Sequence, residues 1–143
     1  MAKARILAVD DQRYFRVFLE DLLVQQGFEV RTAGSGEDAL HLLEREAFDV
    51  IVTDLVMPGL SGAELVERVK ARAPEQEVIV VTSVGDVRTA VDAMRMGASD
   101  YLLKPLDPTL LERSLEGILQ RKRLRQEHAS LMAENLEYLG HLS

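Results

Sequence analysis

Apolar residues along the chain fall into five short runs. Between them lie longer stretches in which apolar positions recur three and four residues apart. The runs near 5–10, 29–33, 49–54, 78–82 and 100–103 predict strands. The amphipathic stretches near 12–26, 36–46, 61–72, 86–96 and 107–140 predict helices. Val50-Ile51-Val52 and Val78-Ile79-Val80-Val81 have no polar alternation, as in parallel strands covered on both faces. The first helix carries Phe15, Phe18, Leu19, Leu22 and Leu23 at helical spacing and stops at Gly27. Ser61 with Glu64 three residues on is a capping-box pattern. Five βα units in succession predict right-handed crossovers and an α/β, doubly wound, flavodoxin-like fold. The expected sheet is parallel and five-stranded, in the order 2-1-3-4-5, with helices on both faces.

The last helix is too long for the body it starts on. Asp107 is a good cap and Pro108 suits the first helical position. A helix from there to Gly140 would be about 50 Å long. Its first part presents Leu111, Leu115, Ile118 and Leu119, which predicts closure against the sheet. Beyond them the apolar positions change phase. Leu124, Leu131 and Tyr138 fall seven apart, with His128, Asn135 and Leu142 four after each, a short heptad seam with two polar positions. The expected division is a domain over 1–120 and a C-terminal helical extension over 121–143. The other reading of the extension is a solvated, frayed tail.

Composition removes several function classes. The chain has 143 residues and a net charge of −7, which argues against direct nucleic-acid binding by the chain as a whole. Within it, Arg121, Lys122, Arg123 and Arg125 read as a solvated helix face, with Arg123 pairing to Glu127. No cysteine is present, which excludes disulfides and thiolate metal sites. No apolar run approaches a membrane span, and the residues before Asp10 are too few for a signal peptide, so a cytoplasmic location without membrane contact is expected. His41, His128 and His141 share no ligand spacing.

The chemistry sits at strand ends. Asp10 and Asp11 end the first run, Asp54 the third, Thr82 the fourth and Lys104 the fifth. In the expected topology the ligand crevice lies at the C-terminal ends of strands one and three, where the winding reverses. A carboxylate there can attack a phosphoryl group. Asp54 is the candidate nucleophile, Asp10 and Asp11 the candidate metal carboxylates, Lys104 the neutralising cation and Thr82 the hydroxyl for a remaining oxygen. Taken singly, these residues have plainer readings. Asp10 and Asp11 can cap the first helix, and Tyr101 can simply pack on the fourth.

Val9-Asp10-Asp11, Asp54-Leu55-Val56-Met57-Pro58-Gly59 with Gly62, Thr82-Ser83, and Asp100-Tyr101-Leu102-Leu103-Lys104-Pro105 stand in this order along the chain. Together they resemble the receiver domain of bacterial two-component response regulators. The run Thr89-Ala90-Val91-Asp92-Ala93-Met94 and the segment through Leu106 resemble most the receivers of enhancer-binding AAA+ activators, with receivers joined to cyclic-di-GMP enzymes close behind. The resemblance implies transfer of a phosphoryl group from a sensor histidine kinase to Asp54, with Mg²⁺ held by Asp11, Asp54 and the Val56 carbonyl, and by Asp10 through water. It implies that Thr82 and Tyr101 act as a switch and that the Lys104–Pro105 bond is cis.

The implied product is a phosphorylation-controlled signalling switch and not a metabolic enzyme. A homodimer through the last helix, or through the face of helix four, strand five and helix five, is expected, with an output domain outside this chain. A stand-alone receiver acting as a protein-binding module is the alternative. An aspartyl phosphohydrolase is disfavoured, because Val56 stands where such enzymes place a second acid. In the family, the positions of Val56 and Val84 tune the lifetime of the phosphorylated state. Neither side chain can hold an attacking water, so phospho-Asp54 is expected to lose its phosphoryl group slowly. Following the decay by intact mass checks this, and a half-life of seconds would contradict it.

Overall fold

The computed structural model describes the backbone of residues 2–142 and the side chains of residues 2–140. Five strands and five helices alternate: β1 (Arg5–Val9), α1 (Arg13–Gln25), β2 (Glu29–Ala33), α2 (Gly36–Arg45), β3 (Val50–Thr53), α3 (Gly62–Arg72), β4 (Glu77–Thr82), α4 (Val87–Arg95), β5 (Asp100–Leu103) and α5 (Pro108–Leu142). All strand pairs are parallel, in the order β2-β1-β3-β4-β5. This is the predicted flavodoxin-like sheet, and each element lies within two residues of its expected bounds.

The pleat sorts the apolar strand residues by parity. Ile6, Ala8, Val50, Val52, Ile79 and Val81 point to one face, into a core closed by α1 and α5. Leu7, Val9, Ile51 and Val78 point to the other, against α2 and α3, and Val80 packs beneath α4 with Leu55, Ala93 and Ala98. The register sets Ile6 beside Val50 and Val52 beside Ile79, so the layers interdigitate across strands. Each fully buried Leu, Ile or Val contributes about 1.5–3 kcal/mol, so the central strands hold the site's floor in place.

Helix ends follow local chemistry. Gly27 takes φ 97° directly after α1, a left-handed conformation that glycine adopts without strain. Ser35 Oγ accepts the Asp38 N–H at 3.1 Å, and Asp86 Oδ1 accepts that of Thr89 at 2.7 Å. Ser61 Oγ accepts the Glu64 N–H at 3.2 Å, and its own hydroxyl donates to Glu64 Oε1 at 3.3 Å. The predicted Ser61–Glu64 pairing therefore forms, with the return bond made through the hydroxyl instead of the backbone N–H. Asp107 Oδ1 accepts the Thr109 N–H at 2.9 Å and opens α5 as expected.

Leu111, Leu115 and Ile118 of α5 are buried, and Leu119 is partly so. From residue 123 to residue 140 every side chain of the helix is exposed. In the basic cluster Arg121, Arg123 and Arg125 are exposed, as a solvated face requires, but the expected ion pair is not the one that forms. Arg123 forms no ion pair with Glu127 among the described residues. Instead Lys122 Nζ donates to Asp49 Oδ1 at 2.8 Å, and Arg125 Nη2 to Glu77 Oε1 at 2.6 Å. Asp49 also accepts the Arg5 N–H, and Glu77 the Ser99 hydroxyl. A carboxylate already fixed by the sheet is a better anchor than a mobile one on the same exposed helix, because less side-chain entropy remains to be lost. These two pairs hold α5 against the N-terminal ends of β3 and β4. Burial pushes the Asp49 and Glu77 carboxyls up, but their hydrogen bonds and cationic neighbours outweigh it and hold both below the usual carboxylate range. The stability they supply is therefore present above the unfolded carboxylate range and is lost as pH falls through the depressed folded values. Replacing Lys122 and Arg125 by Ala should cost about 1 kcal/mol together. It should also speed amide exchange in residues 119–126 while leaving the central strands protected, which hydrogen-exchange mass spectrometry measures.

Candidate functional site: an acidic crevice at the sheet's C-terminal edge

Asp10 and Asp54 lie one residue beyond β1 and β3. The ladder runs one bond further than the strands: the Asp10 N–H donates to Ala33 O at 3.2 Å and the Asp54 N–H to Val9 O at 3.1 Å. The backbone is thus fixed to the sheet where the side chains turn out of it. Asp10 is 1% exposed and Asp54 7%. Lys104, just past β5, spans the pair. Its Nζ donates to Asp10 Oδ2 at 2.8 Å and to Asp54 Oδ2 at 2.9 Å. The Lys104–Pro105 bond is cis, as expected.

Both carboxylates have further partners. Asp10 Oδ1 accepts the Gln12 N–H at 2.9 Å, and Asp54 Oδ1 that of Val56 at 3.2 Å. Burial alone would push the Asp54 carboxyl up, but the Thr82 hydroxyl, the Lys104 ammonium and the Val56 N–H together hold it below the usual carboxylate range. Burial lowers the Lys104 ammonium, and the bonds from Asp10 and Asp54 overcome this and raise it. At neutral pH the nucleophile candidate is an anion and its neighbour a cation.

Asp11 does not cap α1. The capping position is Gln12, which makes no side-chain cap bond. Asp11 is exposed and shares a cavity of about 1100 Å³ with Asp54, Val56 and Lys104. Tyr14, Phe18 and Pro105 form an apolar rim around this acidic floor. No three acidic or imidazole side chains form a ready metal cage among the described residues. Asp10 is turned down onto Lys104 and away from the cavity wall, which leaves Asp11 and Asp54 as the carboxylates facing the opening. Two carboxylates with room for water suit a hydrated Mg²⁺, which favours one or two carboxylates and keeps much of its water.

Thr82 is fully buried at the end of β4, and its Oγ1 accepts the Val84 N–H at 3.5 Å. The Tyr101 hydroxyl donates to the Val84 carbonyl, so the ring is tied to the loop that follows Thr82. Tyr101 also packs on the Val80–Ala93 cluster under α4, as the plainer of its two readings expects. Val56 is exposed beside Asp54 and Val84 is half-buried. Gly62 explains itself by space: a Cβ there would stand 1.7 Å from the Asp54 carbonyl oxygen. Its N–H donates to Leu55 O at 2.9 Å, which seats the start of α3 on the loop after Asp54. Sequence reasoning missed one neighbour: Phe15, assigned only to the core, has its ring 4.1 Å from Lys104 Nζ.

Residues 6–116 match the response regulator receiver domain family. The chain belongs to this family. Receiver domains are signalling modules, and membership implies phosphorylation-dependent signalling. Among curated relatives, the response regulator protein FleR of Pseudomonas aeruginosa is 42% identical over 108 residues, covering 76% of this chain and 23% of FleR. The response regulator protein PilR of the same organism is 36% identical over 140 residues, covering 98% of this chain and 31% of PilR. The chain thus spans less than a third of these two relatives. A receiver domain protein from Clostridium thermocellum superposes with a TM-score of 0.80 at 36% identity, covering 85% of this chain and 98% of that one. NtrX from Brucella abortus superposes with a TM-score of 0.85 at 33% identity, over 92% of this chain and 30% of NtrX.

Removing the bridging cation should release the electrostatic hold on Asp54. In Lys104→Met the burial remains and the ammonium is gone, so the Asp54 carboxyl should titrate at higher pH than in wild type. Carbon-13 NMR of the carboxylates reads this directly.

Proposed function

We propose that this receiver accepts a phosphoryl group on Asp54 from the phosphohistidine of a sensor histidine kinase, in a Mg²⁺-dependent step, and thereby changes a dimerisation or output-contact face. The observation that carries this is the Lys104 ammonium bridging Asp10 and Asp54 at 2.8 and 2.9 Å on the floor of an open cavity. An Asp54 oxygen attacks phosphorus. The phosphorus–nitrogen bond breaks, and the imidazole keeps the electron pair. Asp11, Asp54 and the Val56 carbonyl are the groups that would hold Mg²⁺ directly, with Asp10 acting through water. When bound there, the ion offsets repulsion between carboxylate and phosphoryl oxygens. Lys104 neutralises a phosphoryl oxygen from the opposite side, and Thr82 supplies a hydroxyl to another. Val56 and Val84 offer no group to orient a hydrolytic water, which fits a long-lived product.

Phosphorylation adds charge and acceptor oxygens beside Thr82, whose loop is bonded to Tyr101. This bond supports a response carried to α4, β5 and the start of α5. This face exposes Val87 (79%), Val91, Met94, Leu103 and Leu110. Residues 1–120 act as the receiver and 121–143 as a helical linker. The linker exposes Leu124, Leu131, Met132, Leu136, Tyr138 and Leu139, apolar side chains that a partner helix would cover. His128 and Asn135 of the expected seam are also exposed, and Leu142 lies outside the described side chains. Because the chain spans under a third of FleR and PilR, an output domain beyond the linker is part of the proposal, as is a cytoplasmic location. Among the described residues, no helix is long and apolar enough to cross a membrane. The second reading, a stand-alone binding module, draws on the 98% coverage of the Clostridium receiver protein.

Incubation with Mg²⁺ and a small acyl phosphate should add one phosphoryl group to wild type and none to Asp54→Asn, by intact mass. Sedimentation with Mg²⁺ and beryllofluoride should show association in wild type alone. Phosphoryl uptake by Asp54→Asn would remove Asp54 as acceptor. A wild type that stays monomeric in both states would favour the stand-alone module.

A further inference from the structure

Lys104 has an unusual wall on one side. Two of its directions are taken by Asp10 and Asp54. The ring of Phe15 lies beneath the ammonium, with the centroid 4.1 Å from Nζ. Phe15 sits in the first turn of α1, is nearly buried, and is braced by Phe18, with ring centroids 5.7 Å apart and planes tilted by 40°. Its ring also lines the cavity that Asp11 and Asp54 share.

We propose that Phe15 is a positioning residue for phosphoryl transfer, holding the Lys104 ammonium over the acceptor through its aromatic face. The inference rests on Asp54 being the phosphoacceptor. The chemistry favours an aromatic wall over the alternatives. A third carboxylate would bind the ammonium, but it would also repel the incoming phosphoryl group. A water-lined wall would let the flexible lysine stem swing away from Asp54. An aliphatic wall would exclude water and offer the cation nothing in return. A ring face attracts the cation without adding a formal negative charge, and it attracts more strongly where water is excluded. Lys104 is thus kept desolvated and aimed while no phosphoryl oxygen is present, so little reorganisation remains when one arrives. Phe15 touches neither phosphorus nor the attacking oxygen, and acts only through Lys104.

The plain competing account is that Phe15 merely fills the core between α1 and the sheet. Three variants separate the two: Phe15→Leu and Phe15→Met keep apolar bulk without a ring face, and Phe15→Tyr keeps the face. The hydroxyl of the tyrosine has the cavity to point into. Binding of beryllofluoride with Mg²⁺ is measured by fluorine NMR, and phosphoryl uptake from a small acyl phosphate by intact mass. Thermal melting is followed alongside. Phe15→Leu and Phe15→Met should weaken beryllofluoride binding and slow uptake by about three- to tenfold, the scale of a partly buried cation–π contact. Phe15→Tyr should restore both to within about twofold of wild type. If Phe15→Leu does not fold, Phe15→Met supplies the comparison. Wild-type behaviour in the folded ring-less variants overturns the proposal. So does a tyrosine variant as impaired as they are, since bulk and not the ring face would then decide. If wild type itself takes neither beryllofluoride nor phosphoryl group, the phosphoacceptor reading falls, and this inference with it.

Discussion

A single ammonium makes the crevice possible. Asp10 and Asp54 are carboxylates with almost no solvent exposure, set at the ends of adjacent strands. Two such charges together would be too costly to bury without a cation and hydrogen-bond donors. Lys104 reaches both at under 3 Å, each carboxylate accepts one backbone N–H, and Asp54 has the Thr82 hydroxyl as well. Asp54 borders an open cavity while Asp10 does not. Structural burial and chemical access are divided between two neighbouring acids.

The fold delivers these groups from separate parts of the chain. Asp10 and Lys104 are 94 residues apart and meet only because β1, β3, β4 and β5 are parallel and end at one edge. The apolar strands beneath are packed from both sides, so the ends cannot shift independently. Gly62 matters for the same reason. The first turn of α3 rests on the Asp54–Leu55 backbone with no room for a Cβ, so the loop after Asp54 is held close to the helix that follows it.

Much of this was legible in the sequence. Runs apolar on both faces identify covered parallel strands, and polar residues that end such runs mark the edge where the crevice opens. That logic reached Asp10, Asp11, Asp54, Thr82 and Lys104 before any coordinates. What it could not reach were contacts set by side-chain direction. Adjacent acids at a strand end look equivalent in one dimension, yet Asp10 turns under to Lys104 and Asp11 faces the opening. Arg123 and Glu127 have the right helical spacing, but the ionic contacts of α5 come from Lys122 and Arg125, whose partners Asp49 and Glu77 are 73 and 48 residues away. Phe15 has core spacing and core burial, and nothing in the pattern says that the lysine just past β5 lies over its ring. Long-range pairings of this kind depend on register and rotamer, which a periodicity does not encode.

Those same contacts constrain how the two poles of the domain can move. At the C-terminal pole, the Tyr101 hydroxyl holds the Val84 carbonyl in the loop after Thr82. One residue earlier, the Asp100 carboxylate accepts the Ser114 hydroxyl of α5 at 2.7 Å. One earlier again, Ser99 donates to Glu77 at 2.6 Å, and Glu77 in turn holds Arg125. Three consecutive residues at the head of β5 thus bond to the β4–α4 loop, to the buried part of α5 and to the anchor of its extension. Because β5 is an edge strand paired only to β4, it can shift with less disruption than any central strand. A displacement of the Val84 loop and a displacement of the α5 extension are therefore not independent. Each strains bonds made by the same short segment, and a two-state change at one must be met by rearrangement at the other or by loss of those bonds.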